Sequence, residues 1–202
     1  MPLLLVTTKR KYIVGKVDNL FPTPFYNAKL GLNLNLLESE CYKHKEKDPG
    51  VRRSNASGWQ SNHITSDGIL DNSLIHGIIE SANEFCGIIE IPPVMLDILW
   101  ININPKYSYN QCHTHPGSVL SGVYYIKIPD QSGDLVFINP YDTIIDASRN
   151  MNGGVSVSDS MYRITPQEDQ ILIFPPWTQH LVEQNLSDDD RISVSFNFVH
   201  HM

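Results

Sequence analysis

The sequence predicts a mainly β fold with flanking N-terminal helices, and three observations support this prediction. Residues 96–199 contain several short stretches rich in Val, Ile, Phe and Tyr, separated by Gly, Pro and Asn, a pattern typical of a sandwich or barrel. Residues 1–95 instead contain two stretches with helical spacing of apolar residues. A length of 202 residues, of which 41% are hydrophobic, is enough for one domain with its own core.

The N-terminal region mixes helices with strand-like and polar segments. Tyr12–Val17 is a candidate strand, and Asn33–Lys47 and Ser73–Cys86 are candidate helices. Between the helices, Asp48–Asp67 is polar and rich in Gly, Ser and Asn, which predicts a long loop. Because long loops in compact domains are often functional, this loop is a candidate lid.

The second half is predicted to be a series of short strands. Met151–Ser160 is rich in Gly and Ser, which predicts a hairpin loop or a second lid. In chain order the predicted strands are Asp97–Ile103, Leu120–Ile128, Leu135–Ile138, Tyr162–Thr165, Gln170–Phe174, His180–Gln184 and Arg191–Val199.

The acidic composition argues against some classes of partner. The formal net charge is −7, from 15 Lys and Arg against 22 Asp and Glu. Binding to phosphates needs clustered Lys and Arg, so we expect neither nucleic acid nor a membrane surface as a partner. No apolar stretch approaches the roughly 20 residues of a membrane span. The three cysteines are widely spaced, which fits reduced thiols and a cytoplasmic location.

His113 and His115 form the first chemical motif. Side chains two residues apart point to the same side of an extended segment, so these two imidazoles can bind one transition metal. A pair of surface histidines beside a turn is the alternative interpretation.

Two later segments could add polar side chains to such a site. His180 follows an apolar strand and a double-proline turn, and it could also simply face solvent. Residues 191–198 alternate strictly between polar and apolar residues. Their polar face consists of Arg191, Ser193, Ser195 and Asn197. Such a face usually contacts water, but in a closed barrel it would line the interior.

With these motifs the sequence resembles the Fe(II)- and 2-oxoglutarate-dependent oxygenases, and more closely a subgroup found in bacteria and their phages. The matching stretches run in order from about residue 20 to the C-terminus and cover most of the chain. They are Leu20–Pro24, Gly58–Ser61, His113–Pro116 with Leu120–Tyr125, Ser132–Phe137 with Asn139–Pro140, and Arg191–Asn197.

The resemblance implies a particular architecture. The core of this family is a double-stranded β-helix, a jelly roll related to the cupins. We therefore expect one oxygenase domain over residues 1–202. Residues 96–199 would form the jelly-roll catalytic core, and residues 1–95 would form an α/β support region.

The resemblance also implies a cofactor and its ligands. Three protein ligands on one face of Fe(II) leave the opposite face to 2-oxoglutarate and dioxygen, and His113, His115 and His180 would be these ligands. Arg191 would bind the distal carboxylate of 2-oxoglutarate through a bidentate salt link. Ser193, on the same strand face, could donate its hydroxyl to that carboxylate.

The second ligand position departs from the usual family pattern. A carboxylate usually stands where this chain has His115, and three neutral imidazoles leave the iron site one unit more positive. The close subgroup shares the sequence His-x-His-Pro, so we interpret His115 as a variant ligand. Two alternatives remain: Asp134, in the next strand, could provide the missing carboxylate, or His115 could be a residue beside the metal or in a turn.

Further residues are candidates for contact with the cosubstrate or the substrate because of their position on predicted strands or loops. Asn102 and Asn104 share one face and could bind the cosubstrate or line a polar barrel mouth. Tyr125 could contact 2-oxoglutarate or pack in the core. Trp59 and Gln60 could form part of the substrate entrance.

The predicted function is a non-haem dioxygenase that consumes 2-oxoglutarate and O2, hydroxylates a protein side chain or small molecule, and releases succinate and CO2. A cupin-type three-His metalloenzyme without 2-oxoglutarate is the first alternative, and Arg191 argues against it. A non-enzymatic jelly-roll binding module is the second, and a polar barrel interior argues against it. The predicted helices could form a homodimer face.

Overall fold

Two antiparallel sheets and two helices make up the described part of the chain. The computed structural model describes residue 16 and residues 21–64, 71–140 and 161–200. The helices are α1 (Leu34–Lys45) and α2 (Asn72–Ile88). The strands, in chain order, are β1 (Tyr26–Lys29), β2 (Asn55–Ala56), β3 (Trp59–Gln60), β4 (Val94–Asn104), β5 (Tyr109–His113), β6 (Leu120–Lys127), β7 (Leu135–Ile138), β8 (Met161–Ile164), β9 (Gln170–Phe174), β10 (His180–Val182) and β11 (Arg191–His200).

The order of the strands is that of a jelly roll. One sheet has the order β1-β9-β6-β11-β4-β3, and the other has the order β2-β5-β10-β7-β8. Strands distant in the chain thus alternate within each sheet: β11 lies between β4 and β6, and β10 lies between β5 and β7. The predicted mainly β jelly roll with flanking helices is confirmed.

The helices cover one face of the six-stranded sheet. Asn33 caps α1 by accepting a hydrogen bond from the Leu36 amide, and Asp71 caps α2 by accepting one from the Ser73 amide. Apolar residues recur on one face of α2, as its sequence predicts, and are buried there: Leu74, Ile75, Ile78, Ala82 and Phe85. They pack with apolar side chains of β4, β6, β9 and β11 in the main core.

β11 is buried on both of its faces. Its apolar face packs in the helix-covered core and consists of Ile192, Val194, Phe196 and Phe198. Its polar face lines a cavity of about 580 Å³ between the two sheets and consists of Arg191, Ser193, Ser195 and Asn197. The alternation of this strand therefore separates two interiors, as the barrel interpretation predicted.

The N-terminal region contributes strands as well as helices. β1 pairs with β9, β2 with β5 and β3 with β4. These short edge strands were not predicted, because two to four residues carry too little alternation to indicate a strand. The predicted strand Tyr12–Val17 and the predicted lid Met151–Ser160 lie outside the described residues, residue 16 excepted. In the described part of the chain, neither helix has the length and apolar character of a membrane span.

Candidate metal centre

Three histidines meet where β5 and β10 pair. His113 ends β5, His180 begins β10, and the two residues are register partners whose ring centroids lie 4.3 Å apart. His115 follows two residues after β5, and its ring lies 5.1 Å from each of the others. One ring nitrogen from each histidine lies within 4.8 Å of the other two. The structure thus brings together all three predicted ligands.

Backbone carbonyls fix the rings of His113 and His180. Nδ1 of His113 lies 2.7 Å from the carbonyl oxygen of Gln111, and Nδ1 of His180 lies 2.9 Å from that of Thr178. A carbonyl oxygen only accepts hydrogen bonds, so each Nδ1 carries the proton and donates. Nε2 of each ring therefore keeps a lone pair for a cation.

A side chain fixes the ring of His115. Its Nδ1 lies 2.8 Å from Oδ1 of Asn197 on β11, and its backbone amide donates to the carbonyl of Pro176 at 2.9 Å. Its Nε2 is buried and has no hydrogen-bond partner among the described residues. A buried nitrogen without a partner is costly, and a bound cation in the cluster would satisfy it.

Burial keeps the three rings neutral. It lowers the pKa of His113 and of His115, and it lowers the pKa of His180 to about 3, with the neighbouring His113 adding to the effect. The rings of Phe137 and Phe174 pack against His180, with centroids 5.9 Å and 4.9 Å away. Neutral imidazoles with free Nε2 atoms are the usual nitrogen ligands of Fe, Zn, Cu and Ni, so this donor set fits a divalent transition metal.

Asp134 lies outside this cluster. Its backbone carbonyl accepts a hydrogen bond from the Glu183 amide at 2.9 Å, and its side chain is not among those that line the cavity. The three histidines are the only group with metal-ligand spacing among the described residues. The structure therefore does not support the alternative in which Asp134 supplies a carboxylate ligand.

Arg191 is a buried cation in the same cavity. Its side chain is 3% exposed, and its Nη1 donates to the carbonyl oxygen of Ser132 at 2.7 Å. Burial lowers its pKa to about 10, opposed in part by Tyr125, so the guanidinium stays charged at neutral pH. No carboxylate of the described residues forms an ion pair with it. An uncompensated buried charge is costly, so this position fits an anionic ligand.

The predicted cosubstrate residues surround Arg191. Asn104 is its register partner on β4, and Ser193 lies opposite Asn102 on one side and Tyr125 on the other. All five line the cavity. Oδ1 of Asn102 and Oδ1 of Asn104 are buried without hydrogen-bond partners among the described residues, which leaves two acceptors in the cavity wall.

The two residues predicted to form the substrate entrance, Trp59 and Gln60, point to different sides of their strand. Gln60 is buried and lines the cavity, whereas Trp59 does not. The indole Nε1 of Trp59 donates to the carbonyl of Asp48 at 3.1 Å, and its ring packs against His44. The structure thus does not bring Trp59 to the cavity, because neighbouring residues of an extended strand point to opposite sides.

The sequence reasoning missed several residues of the cavity wall, among them Trp100, Arg53 and His63. Trp100 lies between two histidines, with its ring centroid 5.8 Å from that of His115 and 6.2 Å from that of His63. Trp100 shares a strand face with Asn102, so alternation could have identified it. Arg53 and His63 also line the cavity, but they lie in irregular segments where no periodicity indicates which way a side chain points.

A family model matches the part of the chain that carries this site. Residues 98–197 match the family described as "Putative 2OG-Fe(II) oxygenase". The match contains the three histidines, Arg191 and Asn197. No curated protein matches the sequence.

Solved structures of the same fold include several oxygenases. The α-ketoglutarate-dependent carbocyclase SnoK from nogalamycin biosynthesis superposes with a TM-score of 0.63 at 11% identity, over 88% of this chain and 80% of that one. A Pseudomonas putida prolyl-4-hydroxylase superposes with a TM-score of 0.61 at 12% identity, over 89% and 94%. HygX from Streptomyces hygroscopicus, solved with nickel and 2-oxoglutarate bound, gives 0.57 at 11% identity, over 89% and 84%.

Proposed function

The chain belongs to the 2OG-Fe(II) oxygenases, and from this premise we propose that it is a hydroxylase whose Fe(II) is bound by His113, His115 and His180. When bound, Fe(II) and 2-oxoglutarate activate dioxygen for oxidation of a C–H bond, with release of succinate and CO2. The observation that carries the assignment of these residues is that the three free Nε2 atoms share one cavity with the buried, unpaired guanidinium of Arg191.

Arg191 binds and orients the cosubstrate. Its N–H groups other than those of Nη1 have no partner among the described residues, so they are available to the distal carboxylate of 2-oxoglutarate. The hydroxyl of Ser193 lies on the same strand face and donates a further hydrogen bond to this carboxylate. Because the guanidinium is already held by the Ser132 carbonyl, little side-chain entropy is lost when the anion binds.

Apolar side chains limit the access of water to the site. Phe174 and Leu135 line the cavity, and Phe137 packs against the ring of His180. An apolar wall lowers the local dielectric constant and so strengthens the attraction between Arg191 and an anion. It also protects reactive species from side reactions with water.

The proposed substrate is a protein side chain or a small molecule with an unactivated C–H bond. The fold shared with a prolyl-4-hydroxylase is compatible with the first class, and the fold shared with SnoK is compatible with the second. The net charge of −7 argues against a nucleic-acid substrate. We also propose a cytoplasmic location, which the three free cysteines support.

Anaerobic addition of Fe(II) and 2-oxoglutarate tests this function. A weak visible charge-transfer band is expected, and exposure to O2 with a suitable substrate should release succinate. The band should vanish in His180→Ala and weaken in Arg191→Ala, and it should persist in His76→Ala, which changes an exposed histidine of α2. A wild-type protein that binds Fe(II) but gives neither the band nor succinate would favour the three-His enzyme that does not use 2-oxoglutarate.

A further inference from the structure

Among the residues that the structure describes, Asn197 is the one side chain that holds a ring of the histidine cluster by a hydrogen bond. Its Oδ1 accepts from Nδ1 of His115 at 2.8 Å and from the hydroxyl of Ser121 at 2.8 Å. His113 and His180 are held instead by backbone carbonyls. Asn197 is 9% exposed and Ser121 is fully buried, so little water competes for these bonds.

The orientation of this amide decides which nitrogen of His115 is free. An amide oxygen accepts but cannot donate, so when Oδ1 faces the ring, Nδ1 must carry the proton and Nε2 keeps its lone pair. If the NH2 group faced the ring, Nε2 would carry the proton and could not bind a cation. In the structure the Ser121 hydroxyl donates to the same oxygen, so both hydrogen bonds are made with the amide in the first orientation.

A local irregularity of β11 accompanies this contact. The register between β11 and β4 shifts between Asn197 and Phe198. The shift occurs at Asn197, the position of β11 that contacts His115. His115 itself lies after the end of β5 and therefore outside the regular hydrogen-bond ladder of the sheet.

We propose that Asn197 is a positioning residue that sets the tautomer of His115 and so makes this histidine a metal ligand. The inference rests on the proposed function in taking His115 as an iron ligand. The family usually has a carboxylate at this position, which binds a cation without any choice of tautomer. A histidine there needs a partner for its Nδ1, and a neutral amide supplies it without adding charge to the cavity.

The tautomer itself can be measured in the metal-free protein. Nuclear magnetic resonance of protein labelled with ¹⁵N-histidine distinguishes a protonated Nδ1 from a protonated Nε2. The expected result for His115 in the wild type is a protonated Nδ1 and an unprotonated Nε2. A protonated Nε2 would overturn the proposal. This result depends on neither 2-oxoglutarate nor turnover, so it separates the proposal from the proposed function.

Metal affinity provides the second test, with Co(II) as the probe. Loss of a hydrogen-bonding partner of a ligand typically costs about 10–100-fold in affinity, and this loss is expected for Asn197→Ala. Asn197→Asp keeps an acceptor oxygen and should bind Co(II) at least as tightly as the wild type. Asn27→Ala is the matched control, because Asn27 lies on β1 of the same sheet and its Oδ1 accepts a hydrogen bond from Gln170 and not from a histidine.

The two variants distinguish positioning from a merely structural role. A structural role predicts that Asn197→Ala and Asn197→Asp lose stability while the tautomer of His115 and the Co(II) affinity stay unchanged, and this outcome would overturn the proposal. A Co(II) affinity that is retained in Asn197→Asp but lost in Asn197→Ala would support the proposal. If Asn197→Ala does not fold, the Co(II) affinity of Asn197→Asp and the tautomer of His115 in the wild type still decide whether Asn197 positions this ring.

Discussion

His113 and His180 are direct cross-strand partners, one at the end of β5 and one at the start of β10. The distance between two of the three ligand candidates is therefore set by the hydrogen-bond ladder of a sheet and not by a loop. A site on paired strands is held more precisely than one on loops. His115 lacks this support, because it lies past the end of β5 and depends on its bond to Asn197.

The first prediction concerns the contribution of His115 to metal affinity. His115→Ala leaves only two of the three proposed ligands. Loss of a ligand's hydrogen-bonding partner costs roughly 10–100-fold in metal affinity, and we expect the Co(II) affinity of His115→Ala to fall by more than this. Free imidazole should restore part of the affinity, because the substitution opens space for it beside His113 and His180. A titration of the metal-free protein with Co(II), followed by absorbance, measures both effects.

His63→Ala is the control for this experiment. His63 lines the same cavity and packs near Trp100, but it is not part of the three-histidine cluster. Its substitution should leave the Co(II) affinity within about twofold of wild type. If His115→Ala bound Co(II) as tightly as the wild type, His115 would not be a ligand.

The second prediction concerns the buried charge of Arg191. Hydrogen bonds to charged groups contribute about 1.5–3 kcal/mol each, so Arg191→Met should raise the KM for 2-oxoglutarate by roughly 10–100-fold. Arg191→Lys keeps the charge but loses the planar fork, so it should fall between the wild type and Arg191→Met. Steady-state kinetics at varied 2-oxoglutarate concentration measures the change.

Thermal unfolding supplies an independent measurement for Arg191. A ligand that binds only the folded protein raises Tm, so, with Co(II) present in both samples, added 2-oxoglutarate should raise the Tm of the wild type more than that of Arg191→Met. Without ligand, Arg191→Met should be as stable as the wild type or more stable, since a buried unpaired charge is removed. An equal rise of Tm in both proteins would mean that 2-oxoglutarate binds elsewhere.

Alternation along strands made the polar face of the cavity predictable. Asn102 and Asn104 on β4, and Arg191 and Ser193 on β11, face one cavity as their spacing predicts, because side chains of a strand alternate strictly. The three histidines could be proposed from the sequence, but their contact is a property of the fold. It requires β5 and β10 to pair, and nothing local to either segment specifies its partner.

Short strands and contacts between distant residues limited the prediction elsewhere. Trp59 and Gln60 were both expected at the substrate entrance, yet Gln60 lines the cavity, whereas Trp59 donates to the Asp48 carbonyl and packs against His44. Asn197 was placed on the correct face by alternation, but its bond to His115 depends on a residue far away in the chain. Hydrogen bonds between distant side chains leave no pattern in a single sequence, so this contact could be found only in three dimensions.

The third prediction concerns the pH dependence of stability through Asp169. Burial alone would raise the pKa of this carboxyl, but hydrogen bonds from the Tyr124 hydroxyl and from the Gly31 and Leu32 amides outweigh it and lower the pKa. The stabilisation is present above the unfolded-state pKa of about 3.9 and is lost as the pH falls through the lower folded-state pKa.

Asp169→Asn tests this linkage. Asn tolerates the positive φ of 64° at this position, so the variant removes the charge without adding backbone strain. For a half-buried carboxylate we expect a loss of about 1–3 kcal/mol in the free energy of unfolding at pH 7. The difference from wild type should shrink below about pH 4. Urea unfolding across this range measures it, with Glu168→Gln as the neighbouring control, and a difference independent of pH would contradict the linkage.

The fourth prediction contrasts two glycines. A Cβ on Gly122 would lie 2.3 Å from Cε2 of Phe196 and 2.5 Å from the backbone oxygen of Leu172, so the neighbouring strands would have to move apart. Overpacking of this kind costs about 1–3 kcal/mol, and Gly122→Ala should lose this much stability. Gly87, in α2, would have no heavy atom within 4 Å of its Cβ.

Gly87→Ala should therefore change stability in the opposite direction. Alanine in a helix restricts the unfolded chain and improves helix propensity, and a gain of about 0.5–1 kcal/mol is expected. Urea unfolding of both variants at one pH gives the two changes, and their opposite signs are the result to look for. Gly122 on β6 pairs with Ile173 on β9 and with Phe196 on β11. If Gly122→Ala were as stable as the wild type, β6 would not be packed tightly between these two strands.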